Sequence, residues 1–295
     1  MNRQRLRRCP WRMAILSGIT LYPIKSCAGI ALREAVLTDC GLMSEHVYDR
    51  EWMVVDADGR FLTQRDYPRM ALIVPTIKAT TLEVRAPGML RLEIELGLPH
   101  PQRSPMQEVQ LWDEQVRAYD CDDVTAAWFS NAIGAPCRLV RFHPDVVRTT
   151  GTTWTGGIAA PTLFSDGYPL LVASVASLDD VNEKLRAAGR APLPMNRFRP
   201  NLVLDGIGAF EEDYADALQF GGTTLKPVKP CPRCPIPSVD QETGVPGPDP
   251  LDVMRGYRAK PELDGAICFG MNAIVIQGGD ERIVVGQDVG FELAF

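Results

Sequence analysis

At 295 residues the chain can bury a substantial core and, at roughly 150 residues per domain, is expected to form two domains or one large one. A net charge of −6 argues against nucleic acid as a main partner, because binding a phosphate backbone needs a basic face. No stretch approaches the length of uninterrupted apolar sequence that a membrane-spanning helix requires, so no membrane span is expected.

Residues 1–13 are basic and lack the apolar run of a signal peptide, and they read as a disordered extension. A strand-like run follows from Ala14 to Leu21. From there to about Tyr119 short alternating or β-branched runs are separated by turns. They include a hairpin from Trp52 through Asp58-Gly59 to Gln64, and strands at 71–77, 81–85, 90–95 and 108–119. Asp122 or Asp123 caps a helix that stops at Gly134, which closes a first unit over 14–135.

A strand at 137–142 opens a second unit over 136–295, followed by a polar loop from Asp145 to Ala159, long enough to be functional or mobile. Ser177, with Asp180 three residues on, signs the start of a helix running to Gly189. Strands then dominate, at 202–204, 223–228, 273–277, 282–285 and 289–293. With 24 prolines and 25 glycines marking frequent turns, the fold class is mainly β with some α, a barrel-like half joined to a second β-rich half.

The eight cysteines are scattered, without the density of a secreted disulfide framework, which points to a reducing cytoplasm. Two of them, Cys231 and Cys234, form a Cys-x-x-Cys among prolines 227, 230, 232, 235 and 237, which predicts a loop without regular structure. A proline in a helix interior costs roughly 3 kcal/mol, so no helix starts at Cys231 to lower a thiol pKa in the manner of a thioredoxin dithiol. The pair reads either as a thiolate site, for a metal or beside an anion, or as two unreactive surface cysteines. Zinc is not supported, because the other cysteines are isolated and His46, His100 and His143 lie far apart. The Cys-x4-Cys-x2-Cys run of a plant-type iron–sulfur protein is absent. Lys25 and Ser26, Arg50, and Arg199 with Asn201 adjoin apolar strands rather than solvated runs. Cations there can hold a phosphate at roughly 1.5 to 3 kcal/mol per charged hydrogen bond, or be ordinary salt-bridged residues.

In order along the chain come Leu21-Tyr-Pro-Ile-Lys-Ser-Cys-Ala-Gly, Asp49-Arg50-x-Trp52-Met, Phe61-Leu-Thr-Gln-Arg with Pro68-Arg69-Met, Ser165-Asp-Gly-Tyr-Pro, Arg197-Phe-Arg-Pro-Asn, Lys229-Pro-Cys-Pro-Arg-Cys, Val239-Asp-Gln-Glu-Thr-Gly and Phe269-Gly-Met-Asn. This combination, over about residues 14–293, resembles the MOSC-domain proteins, named for the molybdenum cofactor sulfurase C-terminus, and within them the amidoxime-reducing branch. The resemblance implies an N-terminal MOSC-associated β-barrel and a MOSC domain that jointly hold molybdenum–molybdopterin. Cys234 would ligate the metal, with Arg233 and the Pro232 backbone beside it. Lys25, Ser26 and Arg50 would meet the pterin phosphate, Arg199 and Asn201 the pterin, and Gly167, Tyr168 and Asn272 would line the pocket. A soft thiolate suits such a metal, and lysine and arginine suit a phosphate tail.

Position 168 departs from the pattern, being Tyr where some relatives have a small hydroxyl residue. The implied activity is reduction of small N-hydroxylated compounds, amidoximes or N-hydroxylated bases, with Asp166 and Asp240 the acids nearest to hand as proton sources. Several bacterial relatives continue into a ferredoxin domain. This chain stops at Phe295, so electrons are expected from a separate ferredoxin or small haem protein with its NADH reductase. The alternative is a molybdopterin or sulfur carrier without turnover. Pyridoxal phosphate is not expected, since full cofactor sulfurases bind it in a further domain for which 295 residues leave no room.

Overall fold

The computed structural model describes residues 12–97 and 105–294, so residues 1–11 of the expected extension lie outside the described residues. Arg12 and Met13 already belong to the first strand, Arg12–Leu21, where they pair with Phe291 and Gly290. That strand buries Ala14 and Leu16 and then Ile19 and Leu21. The alternation slips by one because the register against Leu202–Asp205 shifts between Leu16 and Gly18, as an extra residue in one strand requires.

The chain is mainly β with a few helices, as the turn-rich sequence predicts, and its largest sheet closes into a barrel of seven strands. In spatial order these are Leu170–Ser174, Leu202–Asp205, Arg12–Leu21, Asp288–Leu293, Ala215–Phe220, Thr223–Pro232 and Ala266–Gln277, the last pairing back onto the first. Leu170–Ser174 and Leu202–Asp205 run parallel, joined through the helix Val175–Ala187. All five residues of Leu170–Ser174 are buried, so alternation gives no signal there. Three smaller sheets surround the barrel. Trp52–Val55, Met106–Leu111, Glu114–Asp120 and Arg138–Phe142 form one, Val74–Ile77, Thr81–Arg85 and Leu92–Glu95 another. In the third, Glu281–Val284 from the far end of the chain joins Glu34–Thr38, Gly41–Ser44 and Val47–Tyr48. Among the described residues no helix is long and apolar enough to cross a membrane.

Several local expectations are met and several are corrected. Asp122 caps the helix Asp123–Ile133 by accepting the Thr125 N–H, and Gly134 ends it with φ +85°. Residues 108–119 are a hairpin rather than one strand, turning at Trp112. Pro68–Leu72 forms a 3-10 helix ahead of the strand Val74–Ile77. The strand expected at 137–142 forms as Arg138–Phe142 and pairs with Trp52–Val55 and Glu114–Asp120.

The second helix starts a turn earlier than read, because the cap is Ser174, whose Oγ accepts the Ser177 N–H at 3.1 Å. Ser177 is committed elsewhere: its buried hydroxyl donates to Glu212 Oε1 at 2.6 Å. The largest correction concerns the proline-rich segment, which is the second half of the strand Thr223–Pro232 as far as Pro232. The chain manages it because that half has only Ala266–Gln277 as a neighbour, and the register shifts between Pro227 and Lys229 and again between Pro230 and Pro232. Prolines sit at an open edge and at irregularities, where a missing N–H breaks no ladder bond.

Candidate functional site

Lys25 and Ser26 follow the first barrel strand, Arg50 sits in the turn before Trp52–Val55, and Arg199 and Asn201 immediately precede Leu202–Asp205. Ser26, Arg50 and Arg199 have φ of +65°, +53° and +55°. A left-handed conformation costs a residue with a side chain about 1–2 kcal/mol, and such strain gathers where surrounding structure holds groups in place for use.

The fold brings most of these residues into one connected cluster. Lys25 is buried, and its ammonium donates to the Phe164 carbonyl at 2.9 Å and to Asp166 Oδ1 at 2.5 Å. The same carboxylate oxygen accepts the Trp112 indole N–H at 3.1 Å. Arg50 donates to Asp49 and, at 3.1 Å, to Asn201 Oδ1. The Asn201 amide also gives its N–H groups to Asp49 Oδ1 and the Thr20 carbonyl and accepts the Leu171 N–H. Its hydrogen-bonding capacity is thus used inside the protein, stitching three barrel strands together. Tyr22 is the platform beneath the cluster, with the guanidinium carbons of Arg199 and Arg50 4.3 and 4.4 Å from its ring centre.

These groups differ in how well they are satisfied. Burial raises the Asp49 carboxyl, opposed by Arg50 and by the N–H groups it accepts. Burial lowers Lys25, opposed by Asp166. Burial also lowers Arg199, with the nearby Arg50 charge adding to the effect. Arg199 is buried, yet the one hydrogen bond of its side chain among the described residues is Nη1 to Gln241 Oε1 at 3.4 Å. A guanidinium has five donors, and a buried cation with so few partners favours an anion.

Asp166 and Asp240 are not set as acids. The protein around Asp166 would raise it, but its side chain is largely exposed, and the Lys25 ammonium and the Trp112 N–H hold it well below the usual carboxylate range. Asp240 lies below its ordinary value because its carboxylate accepts the Thr243 and Glu242 N–H groups of its own turn, with Arg197 adding to the effect. Asp240 is a turn cap tied to Arg197.

The thiol segment continues from the strand Thr223–Pro232. Cys231 and Cys234 are half-buried. Arg233 sends Nη1 to the Cys231 sulfur at 3.1 Å and Nη2 to the Phe198 carbonyl at 2.9 Å, next to Arg199. Its Nε is buried without a partner. The Arg233 guanidinium also lies over the Phe198 ring, 5.7 Å from its centre, so the thiol segment is anchored to the residue that precedes Arg199. Burial pushes the Cys27 thiol up to about 12 and Cys268 up to about 11, so neither is a thiolate at neutral pH. Asn272 reaches the Lys229 carbonyl at 3.3 Å. Tyr168 is half-buried, and a Cβ on Gly167 would meet open space. Cys234, Gly167 and Tyr168 make no side-chain hydrogen bond among the described residues.

Three contributors escaped the sequence reading. Asp49 supplies the counter-charge, Tyr22 the stacking surface, and both lie inside the quoted motifs. The third is Arg148, in the polar loop, buried and donating to Leu163, Ser165 and Asp166 carbonyls and to Glu114. An arginine in a loop carries no periodic signal that distinguishes it from a solvated one.

Among the described residues no three His, Cys, Asp or Glu side chains gather to hold a metal. A metal at Cys234 therefore has to arrive with most of its ligands, as one carried on a dithiolene does. The under-partnered Arg199, the orphaned Arg233 Nε and the buried Lys25 ammonium fit an anionic, polar cofactor of that kind.

Residues 13–136 match the MOSC N-terminal beta barrel domain family and residues 160–290 the MOSC domain family. The chain is 34% identical over 292 residues to mitochondrial amidoxime reducing component 2 of Rattus norvegicus, covering 95% of this chain and 85% of that protein. It is 32% identical over 299 residues to mitochondrial amidoxime-reducing component 1 of Mus musculus, covering 97% and 86%. It is also 31% identical over 290 residues to molybdenum cofactor sulfurase of Oryza sativa subsp. japonica, covering 92% of this chain but 34% of that longer protein. The chain belongs to the MOSC-domain proteins, in the branch of the amidoxime reducing components.

Proposed function

We propose that this protein is a molybdenum–molybdopterin oxidoreductase that reduces small N-hydroxylated compounds, amidoximes or N-hydroxylated bases, with electrons from a separate donor. The observation that carries the reading is the buried, under-partnered Arg199, beside the paired cations Lys25 and Arg50, together with a half-exposed thiol at Cys234 in a chain of this branch. When bound, the cofactor supplies the two-electron chemistry that removes oxygen from the N–OH group.

The protein's own residues do the rest. Cys234 offers the thiolate, and Arg233 fixes the Cys231–Cys234 segment by bridging the Cys231 sulfur and the Phe198 carbonyl. Arg199 and Lys25 hold the anionic tail, while Asp49 and Asn201 hold Arg50 in its left-handed turn. Because Asp166 and Asp240 are held ionised by cations and N–H groups, the two protons that accompany the two electrons, one to nitrogen and one leaving in water, are drawn from solvent at the half-exposed thiol segment rather than from either carboxyl.

The test is to prepare the chain in a molybdopterin-competent host. Near one equivalent of molybdenum and of pterin is expected, with reduction of benzamidoxime driven by a reduced viologen dye but not by NADH alone. A ferredoxin or small haem protein with its NADH reductase should restore NADH-driven turnover. Zinc at full occupancy without pterin overturns the cofactor assignment. Loaded protein that is inactive even with the dye favours a carrier of molybdopterin or sulfur.

A further inference from the structure

The polar loop at 150–160 spans the two banks of the candidate site. At its base, Thr150 and Ala160 close the loop by a backbone bond of 2.8 Å, and the preceding Arg148 grips the carbonyls of Leu163, Ser165 and Asp166, the residue that holds Lys25. At its tip, the half-buried Trp154 lies beneath the Lys229 ammonium, 5.6 Å from the ring centre. Lys229 stands two residues before Cys231, and its carbonyl is held by Asn272. The tip is itself ordered, since the buried Thr155 hydroxyl donates to the Ile158 carbonyl at 2.5 Å and Gly157 N–H reaches Thr152 O. The loop base thus holds the Asp166 that pairs with Lys25, and the loop tip meets Lys229 on the strand that leads into the thiol segment, so an indole is fixed on that strand.

We propose that Trp154 is a specificity-determining residue, an aromatic wall held against Lys229 on which a planar, conjugated N-hydroxylated substrate stacks as its N–OH group approaches the thiol segment. The proposal rests on the reductase reading above and names the substrate class it favours: aryl amidoximes and N-hydroxylated nucleobases over aliphatic amidoximes. A cation on one side of an indole leaves the rest of the ring for a second planar partner, and stacking of a planar base on an aromatic side chain is worth about tenfold or more in binding.

In loaded protein driven by reduced dye, Trp154→Ala should lower the ratio of kcat/KM for benzamidoxime over acetamidoxime about tenfold, chiefly through the KM for benzamidoxime. Trp154→Phe should restore most of that ratio. A second measurement does not depend on turnover: benzamidine titrated into the cofactor-free full chain should quench tryptophan fluorescence, with the quench kept in Trp128→Phe, a residue of the helix Asp123–Ile133, and lost in Trp154→Phe. An unchanged substrate ratio in Trp154→Ala overturns the proposal, as does a quench that survives in Trp154→Phe. If loaded wild-type protein reduces neither amidoxime, the reductase reading fails, and the fluorescence experiment alone decides whether Trp154 stacks a planar amidine.

Discussion

The cation cluster and the thiol segment solve opposite problems. Lys25, Arg50 and Asn201 are buried or nearly so; Lys25 is bound to Phe164 and Asp166, and Arg50 and Asn201 to Asp49 and to each other, so this cluster is built like a piece of core. The thiol segment emerges from the open edge of a proline-bearing strand, where few backbone N–H groups exist to be satisfied. The first is preorganised through internal pairs and the second through proline stiffness and one bridging arginine, Arg233.

The comparison breaks most sharply at the sulfur. Cys234→Ser is expected to bring dye-driven reduction to background, while Cys231→Ser, which alters the Arg233 and Pro232 contacts, should keep at least about a tenth of the activity and most of the molybdenum, as loss of a supporting contact does. Activity assays beside metal analysis check this, and the reverse pattern would assign the ligand to Cys231.

Next in size is the difference between two arginines of the cluster. Arg50→Ala leaves the buried Asp49 without its cation and should cost about 3 kcal/mol or more in urea unfolding. Arg199→Ala removes a cation with one weak bond, so unfolding should change by less than about 1 kcal/mol while cofactor retention falls. Equal destabilisation by both variants would mean that Arg199 is as structural as Arg50.

The smallest effect is electrostatic and depends on pH. Asp166 has a folded value depressed by Lys25, so the stability it contributes is complete above its unfolded value of about 3.9 and is lost as pH falls below that toward the folded value. The side chain is largely exposed, so the contribution is at most about 1 kcal/mol. Urea unfolding of wild type and Asp166→Asn should differ at pH 7 and converge in strong acid. A gap that widens on acidification would show that Asp166 is an acid after all.

Much of this was legible in the sequence. Local chemistry determined the helix Asp123–Ile133, because an Asx cap and a left-handed glycine act within a few residues, and it also determined the mainly β class and the exclusion of a helix at Cys231. The motif order carried the family and named Arg50 and Arg199, which the structure then sets together over Tyr22.

What tertiary structure alone decided are the partnerships. Strand Thr223–Pro232 persists through its prolines because only one edge is paired there, and no sequence states which edge a strand will present. Ser177 yields the helix cap to Ser174 because Glu212, 35 residues away, claims its hydroxyl. Asn201, read as a cofactor ligand, spends its amide on strands that meet only when the barrel closes. Asp166, read as an acid, becomes the counter-ion of a lysine 141 residues distant. Propensity and capping are set within a turn of chain, whereas a charge or an amide acquires its role from whatever burial places within about 3 Å of it.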